Sequence, residues 1–212
     1  MVVGASPGRR GKGSDMTTTP TPDDGKADLH RYLQEIREAV LWKLEGLSEY
    51  DVRRPMTPTG TSLLGVVKHL AAVEWGYFCL TFDRPLEDVP AWFTDMTPNV
   101  DMWATADEGR EELVALYRRV GAAADRTIEE LALDATGHVP WWRTGSVTLH
   151  RILVHVVAET NRHAGQMDVV RELVDGAVGL RSGNDNMPDG DAAWWAEHRA
   201  RVEQAARTAA GM

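Results

Sequence analysis

The sequence predicts an all-α fold, a four-helix bundle with long connecting loops and a short extra helix at the C-terminus. Four long segments carry apolar residues at the spacing of an amphipathic helix, and no segment of useful length alternates with the two-residue period of a strand. A chain of 212 residues is long enough to bury one core without disulfides or a structural metal. Four long helices with apolar faces cover one another in a bundle.

The predicted helices are bounded by residues that start or stop helices. Pro85 ends the second helix because proline cannot continue the hydrogen-bonded ladder. Thr105 and Glu108 have the spacing of a capping box, which places the start of the third helix at Thr105. Gly176 follows the fourth helix as a C-terminal cap. In chain order, the predicted helices cover residues 27–47, 62–82, 105–133, 148–174 and 191–206.

The N-terminal residues 1–25 are rich in Gly, Ser, Thr and Pro and nearly lack apolar side chains. Such a composition cannot build a core, so we expect a disordered tail, within which Met16 is an alternative start. The tail is followed by one domain over residues 26–212, and we assign no function to the tail.

The composition is typical of a globular protein that does not act on nucleic acid. Apolar residues make up 43% and charged residues 26% of the chain, and the net charge is −9. Phosphate binding requires a basic surface, so this charge disfavours nucleic acid or an anionic membrane as a partner. The single cysteine, Cys79, excludes a disulfide within the chain and fits the reducing cytoplasm. Finding no apolar run of roughly 18 residues, we expect no transmembrane helix.

One stripe of the fourth predicted helix carries polar side chains where apolar ones are expected. His155, Glu159 and His163 are four residues apart, so a helical projection places them along one line. Ile152 and Val170 lie on the same side, which indicates that Glu159 faces the core. An unpaired carboxylate in a core is costly and is normally paired with an opposite charge.

A divalent metal ion is one way to satisfy Glu159. His69 points inward on the second helix, so His69, Glu159 and His163 can converge as two imidazoles and one carboxylate. This ligand set occurs at catalytic zinc sites that keep an open position. The alternative is a buried polar network without metal, in which Glu159 pairs with an arginine. His155 is either a further ligand or a residue that orients a ligand, and the second role suits its place one turn before Glu159.

Several residues near the predicted site have provisional roles. Gly65 and Gly76 lie on the face of His69, and their small size leaves room for something that is not a side chain. Cys79 lies about 80° from His69 around the helix, so we expect it to pack rather than to act as a nucleophile. The loop before the fourth helix carries a tryptophan pair, Trp141 and Trp142, and either folds over the site or closes the core.

Two segments of the sequence resemble the signature helices of the DinB-like superfamily. They are SLLGVVKHLAAVEWGYF at 62–78 and LHRILVHVVAETNRHAGQMDVVRELVDG at 149–176, and the similarity is closest to the actinobacterial branch of mycothiol-dependent enzymes. The tail DAAWWAEHRARVEQAA is also similar to that branch. The family fold is a four-helix bundle whose divalent metal is held by one histidine of the second helix and by two residues four apart on the last bundle helix. In the mycothiol-dependent maleylpyruvate isomerase branch this pair is Glu and His, so the resemblance implies His69, Glu159 and His163 as metal ligands.

The resemblance favours a divalent-metal-dependent thiol S-transferase. The metal, with zinc expected and nickel, iron or manganese as alternatives, would hold a low-molecular-weight thiol, expected to be mycothiol, as a thiolate. The thiolate would attack an electrophilic small molecule, for example in detoxification. Three alternatives stay open: a thiol-dependent isomerase, a metal-dependent hydrolase, and a non-catalytic metal-binding or structural module that acts through a partner or as a homodimer.

Overall fold

A computed structural model describes residues 22–95 and 97–212, which contain the predicted bundle. The helices are α1 at Pro22–Trp42, α2 at Glu49–Arg53, α3 at Leu63–Glu74, α4 at Arg110–Glu130, α5 at Leu149–Asp175 and α6 at Ala192–Ala209. Helix α1 contacts α4 and α5, and α3 contacts the same two helices, so the four long helices enclose one core. The predicted all-α bundle with a short extra C-terminal helix is confirmed. The predicted tail lies outside the described residues, except for residues 22–25, which begin α1.

The apolar positions that the helical period selects are the ones that the bundle buries. Each of the four long helices contributes side chains with almost no exposed surface. The core includes Leu33, Val40, Leu64, Val67, Val120, Ile128, Ile152 and Val156. Burial of each such side chain stabilises the fold by about 1.5–3 kcal/mol relative to leaving it in water.

Side-chain caps fix where three of the helices begin. Ser62 precedes α3, Thr148 precedes α5 and Asp191 precedes α6, and each accepts a hydrogen bond from the backbone N–H three residues on. Such a cap satisfies an N–H that has no partner inside the helix. At the other end of α5, Gly176 adopts the left-handed conformation with φ of 80°, as expected of a C-terminal glycine.

Helix α3 widens at its C-terminal end. Trp75–Leu80 continue it as a π-helix, in which hydrogen bonds span five residues rather than four. The N–H of Thr81 accordingly donates to the carbonyl of Gly76, at 3.1 Å. Wide turns of this kind often occur at functional sites.

Helix α1 covers Pro22–Trp42, so it starts and ends earlier than predicted. Two arginines explain its end, because they donate to carbonyls just beyond the last helical residue. Arg171 of α5 donates to the carbonyl of Lys43 at 3.0 Å, and Arg110 of α4 donates to that of Leu47 at 2.8 Å. Tertiary hydrogen bonds replace the helical ones here.

Helix α4 begins at Arg110, later than the capping-box spacing predicts, and it ends at Glu130 rather than near residue 133. The Thr105 N–H does donate to the Glu108 carboxylate, at 2.7 Å. The same carboxylate, however, forms an ion pair with Lys68 of α3 at 2.8 Å. Glu108 therefore serves a tertiary contact, and the helix starts only after it.

A small β-hairpin precedes α5 and was not predicted. Strand β1 at Thr136–His138 pairs antiparallel with strand β2 at Ser146–Thr148. Strands of three residues are too short for a two-residue alternation to be recognised in a sequence. The loop between them carries Trp141 and Trp142, so the hairpin sets the position of both indoles.

Leu63–Leu80 is long and apolar enough to cross a membrane by length and composition, with a mean hydropathy of 1.3. This corrects the expectation that the chain lacks an apolar run of this length. In the part of the chain that the structure describes it is the one such helix, and 72% of it is buried inside the bundle. The core helix of a bundle passes the same test, so the span is weak evidence for a membrane.

Helix α6 lies at the predicted position, but none of its residues is buried. Its apolar side chains interact with one another instead. The ring of Trp194 stacks on His198 with centroids 5.4 Å apart and meets Trp195 edge-on at 4.7 Å. The bundle core is therefore complete without α6.

Candidate metal centre

Three side chains from two helices converge between α3 and α5. His69 of α3 and Glu159 and His163 of α5 each offer one ligand atom, and these atoms lie within 4.8 Å of one another. Nε2 of His163 lies 3.0 Å from Oε1 of Glu159, and Nε2 of His69 lies 3.9 Å from the same oxygen. The fold thus brings together the three residues that the helical projection places on inward faces.

His69 is oriented by a carboxylate that the sequence analysis missed. Nδ1 of His69 donates to Oδ2 of Asp101 at 2.7 Å. This hydrogen bond fixes the tautomer, so Nε2 keeps its lone pair on the side of Glu159 and His163. A carboxylate in this position also makes the imidazole a stronger metal ligand. Asp101 lies in the loop before α4, where no periodicity marks it.

His163 is oriented in the same way by Gln166, one turn further along α5. Nδ1 of His163 donates to the amide oxygen of Gln166 at 2.9 Å. Nε2 of His163 faces Oε1 of Glu159 at 3.0 Å, within hydrogen-bond distance. Two electron-pair donors at this distance need a cation or a proton between them. Glu159 forms no ion pair with an arginine among the residues described, so the arginine alternative is wrong.

The three side chains are only partly covered. His163 retains 9%, His69 18% and Glu159 25% of their side-chain surface. A small ligand can therefore approach from the Glu159 side, while the histidines are held by the helices. The site is neither a sealed core cavity nor an open surface cluster.

Gly65 allows the loop that carries Asp101 to approach α3 closely. A Cβ at position 65 would lie 2.1 Å from the backbone carbonyl oxygen of Met102. Only glycine tolerates this approach of two backbones. The space beside Gly65 is taken by the backbone of the loop, which is not a side chain, and the loop places Asp101 beside His69.

Lys68, the residue before His69, binds the same loop at a point beyond Asp101. The buried ammonium donates to the carbonyl of Trp103 at 3.1 Å and pairs with Glu108 at 2.8 Å. It also lies over the ring of Trp92, 4.6 Å from the centroid. A buried lysine needs such partners to remain charged. Lys68 and Gly65 together position the segment that orients His69.

Beside the three ligand residues lies an aromatic cluster, formed by Tyr77, Trp141, Trp142 and His155. Oη of Tyr77 accepts hydrogen bonds from the indole N–H of Trp141 at 3.3 Å and of Trp142 at 3.2 Å. The ring of His155 contacts those of Tyr77 and Trp142, with centroids 4.8 Å and 5.0 Å apart. His155 is thus not grouped with the candidate metal ligands but belongs to the aromatic cluster.

The hairpin that carries the two tryptophans lies against the helices of the site. Trp141 is 52% exposed, so it does not close the core. Its ring instead covers Gly76 of the π-helical turn, where an added Cβ would lie 3.0 Å from the indole. This corrects the expectation that Gly76 leaves room for something that is not a side chain, because the side chain of Trp141 fills the space. Trp142, in contrast, packs against the hydrophobic core, so the core-closing role considered for the pair holds for one of the two tryptophans.

Cys79 is a packing residue, as expected. Its side chain is 1% exposed. Burial raises the pKa of its thiol to about 11, and the charge of Glu74 contributes in the same direction. A thiol with this pKa is protonated near neutral pH and is a poor nucleophile.

A second polar cluster joins α1, α3 and α4 and is fully paired. Arg37 forms ion pairs with Glu74 and Asp125, both at 2.6 Å, and His30 contacts Asp125 at 2.8 Å. Burial alone would raise the pKa of Asp125, but the charge and hydrogen bonds of Arg37 and His30 outweigh it and hold that pKa below its usual value. Every charge in this cluster has a partner of opposite charge or a hydrogen-bond partner, so we assign the cluster a structural role. The group of His69, Glu159 and His163 differs because it contains no arginine or lysine.

The surface pockets do not indicate where the candidate metal site lies. Five pockets of 400 to 580 Å³ are lined by other residues than His69, Glu159 and His163. The candidate ligand atoms of these three side chains lie within 4.8 Å of one another, close enough to share one ion. We therefore locate the site by its donor atoms and not by cavity volume.

Comparison with protein families agrees with this geometry. Residues 28–176 match the family described as mycothiol-S-transferase, a segment that runs from α1 to the end of α5 and contains all three candidate ligands. No curated protein matches the sequence. The match confirms the resemblance to the DinB-like, mycothiol-dependent enzymes and the expectation of a transferase. Since it covers well over half of the chain, the protein belongs to the mycothiol S-transferase family.

Proposed function

We propose that the protein is a divalent-metal-dependent mycothiol S-transferase whose metal ligands are His69, Glu159 and His163. The observation that carries the proposal is the convergence of three potential ligand atoms within 4.8 Å, with an imidazole nitrogen of His163 only 3.0 Å from a carboxylate oxygen of Glu159. A cation between them, with Nε2 of His69 as the third donor, satisfies all three lone pairs. Two nitrogens and one oxygen fit zinc with open positions, and nickel, iron or manganese as alternatives.

A divalent ion at these ligands would lower the pKa of a bound thiol and so hold mycothiol as a thiolate near neutral pH. The protein residues prepare this chemistry. Asp101 and Gln166 hold Nδ1 of the two imidazoles, so that Nε2 of each ring faces Glu159. A divalent ion held by two neutral imidazoles and one carboxylate would keep a net positive charge, which would attract the thiolate sulfur. The buried thiol of Cys79 offers no competing thiolate.

The second substrate in this proposal is an electrophilic small molecule, and the biological role is detoxification. We propose a cytoplasmic location, since low-molecular-weight thiols are kept reduced there. The net charge of −9 disfavours binding to nucleic acid or to an anionic membrane, so we propose neither as a partner. A homodimer remains a prediction.

Metal content tests the ligand assignment. Protein purified without added metal or an affinity tag that carries nickel should contain about one divalent ion per chain by mass spectrometry, in line with a single three-ligand site. Glu159→Gln should lose most of this metal while retaining its helical circular dichroism. Glu172→Gln, an exposed glutamate on the same helix, is the matched control and should keep it. A folded wild type that stays metal-free when offered zinc contradicts the proposal.

Thiol consumption tests the activity. The metal-loaded protein should conjugate mycothiol to a generic electrophile such as monobromobimane, and Glu159→Gln should abolish the enzymatic part of the rate. Turnover of an ester or amide without added thiol would instead indicate a hydrolase. If bound metal raises only the melting temperature and no thiol is consumed, the protein is a structural metal-binding module.

A further inference from the structure

We propose that the aromatic cluster is the subsite for the electrophile, and that Tyr77 donates its hydroxyl hydrogen to an oxygen atom of that substrate. The inference rests on the proposed function and deepens it by assigning a substrate class. That class is flat, conjugated carbonyl compounds, such as enones and quinones.

The aromatic cluster has the right place for this role. His155 precedes Glu159 by one helical turn on α5, a rise of about 6 Å. Tyr77 follows His69 by about two turns on α3, roughly 12 Å along the helix. The rings of Tyr77 and His155 are in contact. Tyr77 and His155 therefore lie on the same side of the candidate metal ligands, although one follows His69 along the chain and the other precedes Glu159. The aromatic cluster therefore lies one to two helical turns from the candidate metal ligands.

The cluster also has the right surface for a flat molecule. Tyr77 meets Trp142 and His155 at interplanar angles of 60° and 67°, and Trp142 meets His155 at 87°. Arg151 lies over the ring of Trp142, 4.9 Å from its centroid, so the half-exposed ring of Trp141 is the one that can stack with a conjugated substrate. Trp141, half-exposed at the outer side, makes the cluster reachable from solvent.

The hydroxyl of Tyr77 has an unused hydrogen. A phenolic oxygen has two acceptor sites and one donor hydrogen. The indole N–H groups of Trp141 and Trp142 occupy the acceptor sites. Within residues 22–95 and 97–212, no side-chain or backbone oxygen accepts the hydrogen of Tyr77. The two donors polarise the O–H group and so strengthen it as a donor to a ligand.

The reaction with an enone can be balanced around this donor. The sulfur electron pair of the thiolate forms a bond to the β carbon, and the carbon–carbon π pair moves towards the carbonyl oxygen. That oxygen gains negative charge and is stabilised by the hydrogen bond from Tyr77. A proton from water then adds to the α carbon, and the proton that the thiol released replaces it in solvent. The net reaction joins thiol and enone into one thioether.

Two electrophiles separate this role from a structural one. 4-Phenylbut-3-en-2-one carries a carbonyl oxygen, whereas benzyl chloride reacts by loss of chloride and has no oxygen acceptor. With mycothiol and metal-loaded protein, Tyr77→Phe should lower kcat/KM for the enone roughly 10- to 100-fold, as loss of one oxyanion donor does. The value for benzyl chloride should change less than about 3-fold, since no oxyanion forms there. Tyr50→Phe, at an exposed tyrosine of α2, is the control and should change neither.

Equal losses with both electrophiles would show that Tyr77 only holds the two indoles, and no loss with either would remove it from the reaction. Each of these results overturns the proposal. The metal content of Tyr77→Phe must match wild type, because Tyr77 touches none of the three ligand residues in the contacts described.

Binding without thiol tests the subsite independently of turnover. Calorimetric titration of the enone into thiol-free protein should give a Kd that Trp141→Ala raises about 10-fold, a typical effect for one stacked ring. Trp103→Ala is the matched control, since Trp103 is also 52% exposed but lies on another loop. An unchanged Kd in Trp141→Ala, or an equal rise in both variants, overturns the subsite. If the wild type transfers no thiol, the proposed function fails, and the binding result alone then decides the subsite.

Discussion

Nδ1 of His69 donates a hydrogen bond at 2.7 Å to Asp101, a residue 32 positions further along the chain. The pair joins helix α3 to the long loop before α4. A loop residue thereby sets the direction in which a helical histidine presents its other nitrogen. We therefore expect the position of this loop to affect the affinity of the proposed metal centre.

Replacing Asp101 by alanine should weaken zinc binding. The histidine loses the partner that fixes its tautomer and raises its donor strength, and such changes typically reduce metal affinity about 10- to 100-fold. The Kd can be measured by competition with a chromophoric chelator. Asp107→Ala removes an exposed aspartate of the same loop and should leave the Kd unchanged. Equal affinities for Asp101→Ala and wild type would mean that the hydrogen bond does not tune the ligand.

Gly65→Ala should weaken zinc binding through the backbone. The added Cβ would lie 2.1 Å from the carbonyl oxygen of Met102, so the loop must move and carry Asp101 away from His69. We expect a rise in Kd comparable to that of Asp101→Ala, together with a lower melting temperature. Chelator competition and a thermal scan measure the two effects.

Gly165→Ala is the control for the glycine effect. Gly165 lies in helix α5 with no atom within 4 Å of an added Cβ. Alanine there should raise stability by about 0.5–1 kcal/mol, because glycine is a poor helix former. If both alanine variants behaved alike, close approach of the loop would not be the cause.

Cys79 should be inert in the native protein and dispensable for transfer. Its thiol is buried and its pKa is raised to about 11, so at pH 8 it should react with a thiol reagent only after unfolding in denaturant. Cys79→Ala should keep at least half of the wild-type transfer rate. Rapid labelling of the native protein, or loss of transfer in a folded Cys79→Ala variant, would assign the nucleophile to the chain itself.

The Arg37–Asp125 pair should make stability depend on acid pH. The folded pKa of Asp125 is lowered from 3.8, so the folded state binds this proton less readily than the unfolded state. Its contribution is therefore fully present above pH 3.8 and is lost as the pH falls through the folded pKa. Asp125→Asn should be less stable than wild type at pH 7, by about 1–3 kcal/mol, since it leaves a buried arginine with one partner fewer.

Urea unfolding at pH 7 and pH 3 measures this linkage. The difference in free energy of unfolding between wild type and Asp125→Asn should shrink at pH 3, because both chains then carry an uncharged side chain at position 125 in a growing fraction of molecules. Asp107→Asn should show no such change. A difference that is the same at both pH values would mean that the ion pair contributes nothing beyond packing.

The helical part of the metal centre was predictable from sequence. Glu159 and His163 are one turn apart, and the 3.6-residue period places both on the face of Ile152. The same projection places His69 inward on α3. Periodicity works here because side-chain direction in a helix depends on local geometry alone.

The loop part of the centre was not predictable in the same way. Asp101 reaches His69 only because Gly65 admits the backbone and Lys68 holds the far end of the loop. These are tertiary contacts between residues far apart in sequence, and no local pattern encodes them. The capping-box error at Glu108 has the same origin, since its carboxylate is shared with Lys68.

Helix α6 buries none of its residues, so its stability should not depend on the core of the bundle. An isolated helix of this length is only marginally stable in water. Its amide hydrogens should therefore exchange by local fraying, with an opening free energy near zero. The amide hydrogens of α3 and α5 should exchange only when the whole bundle unfolds. In thermodynamic terms we expect the bundle to be one cooperative unit and α6 to be an appended segment that can melt or be cleaved at little cost to that unit.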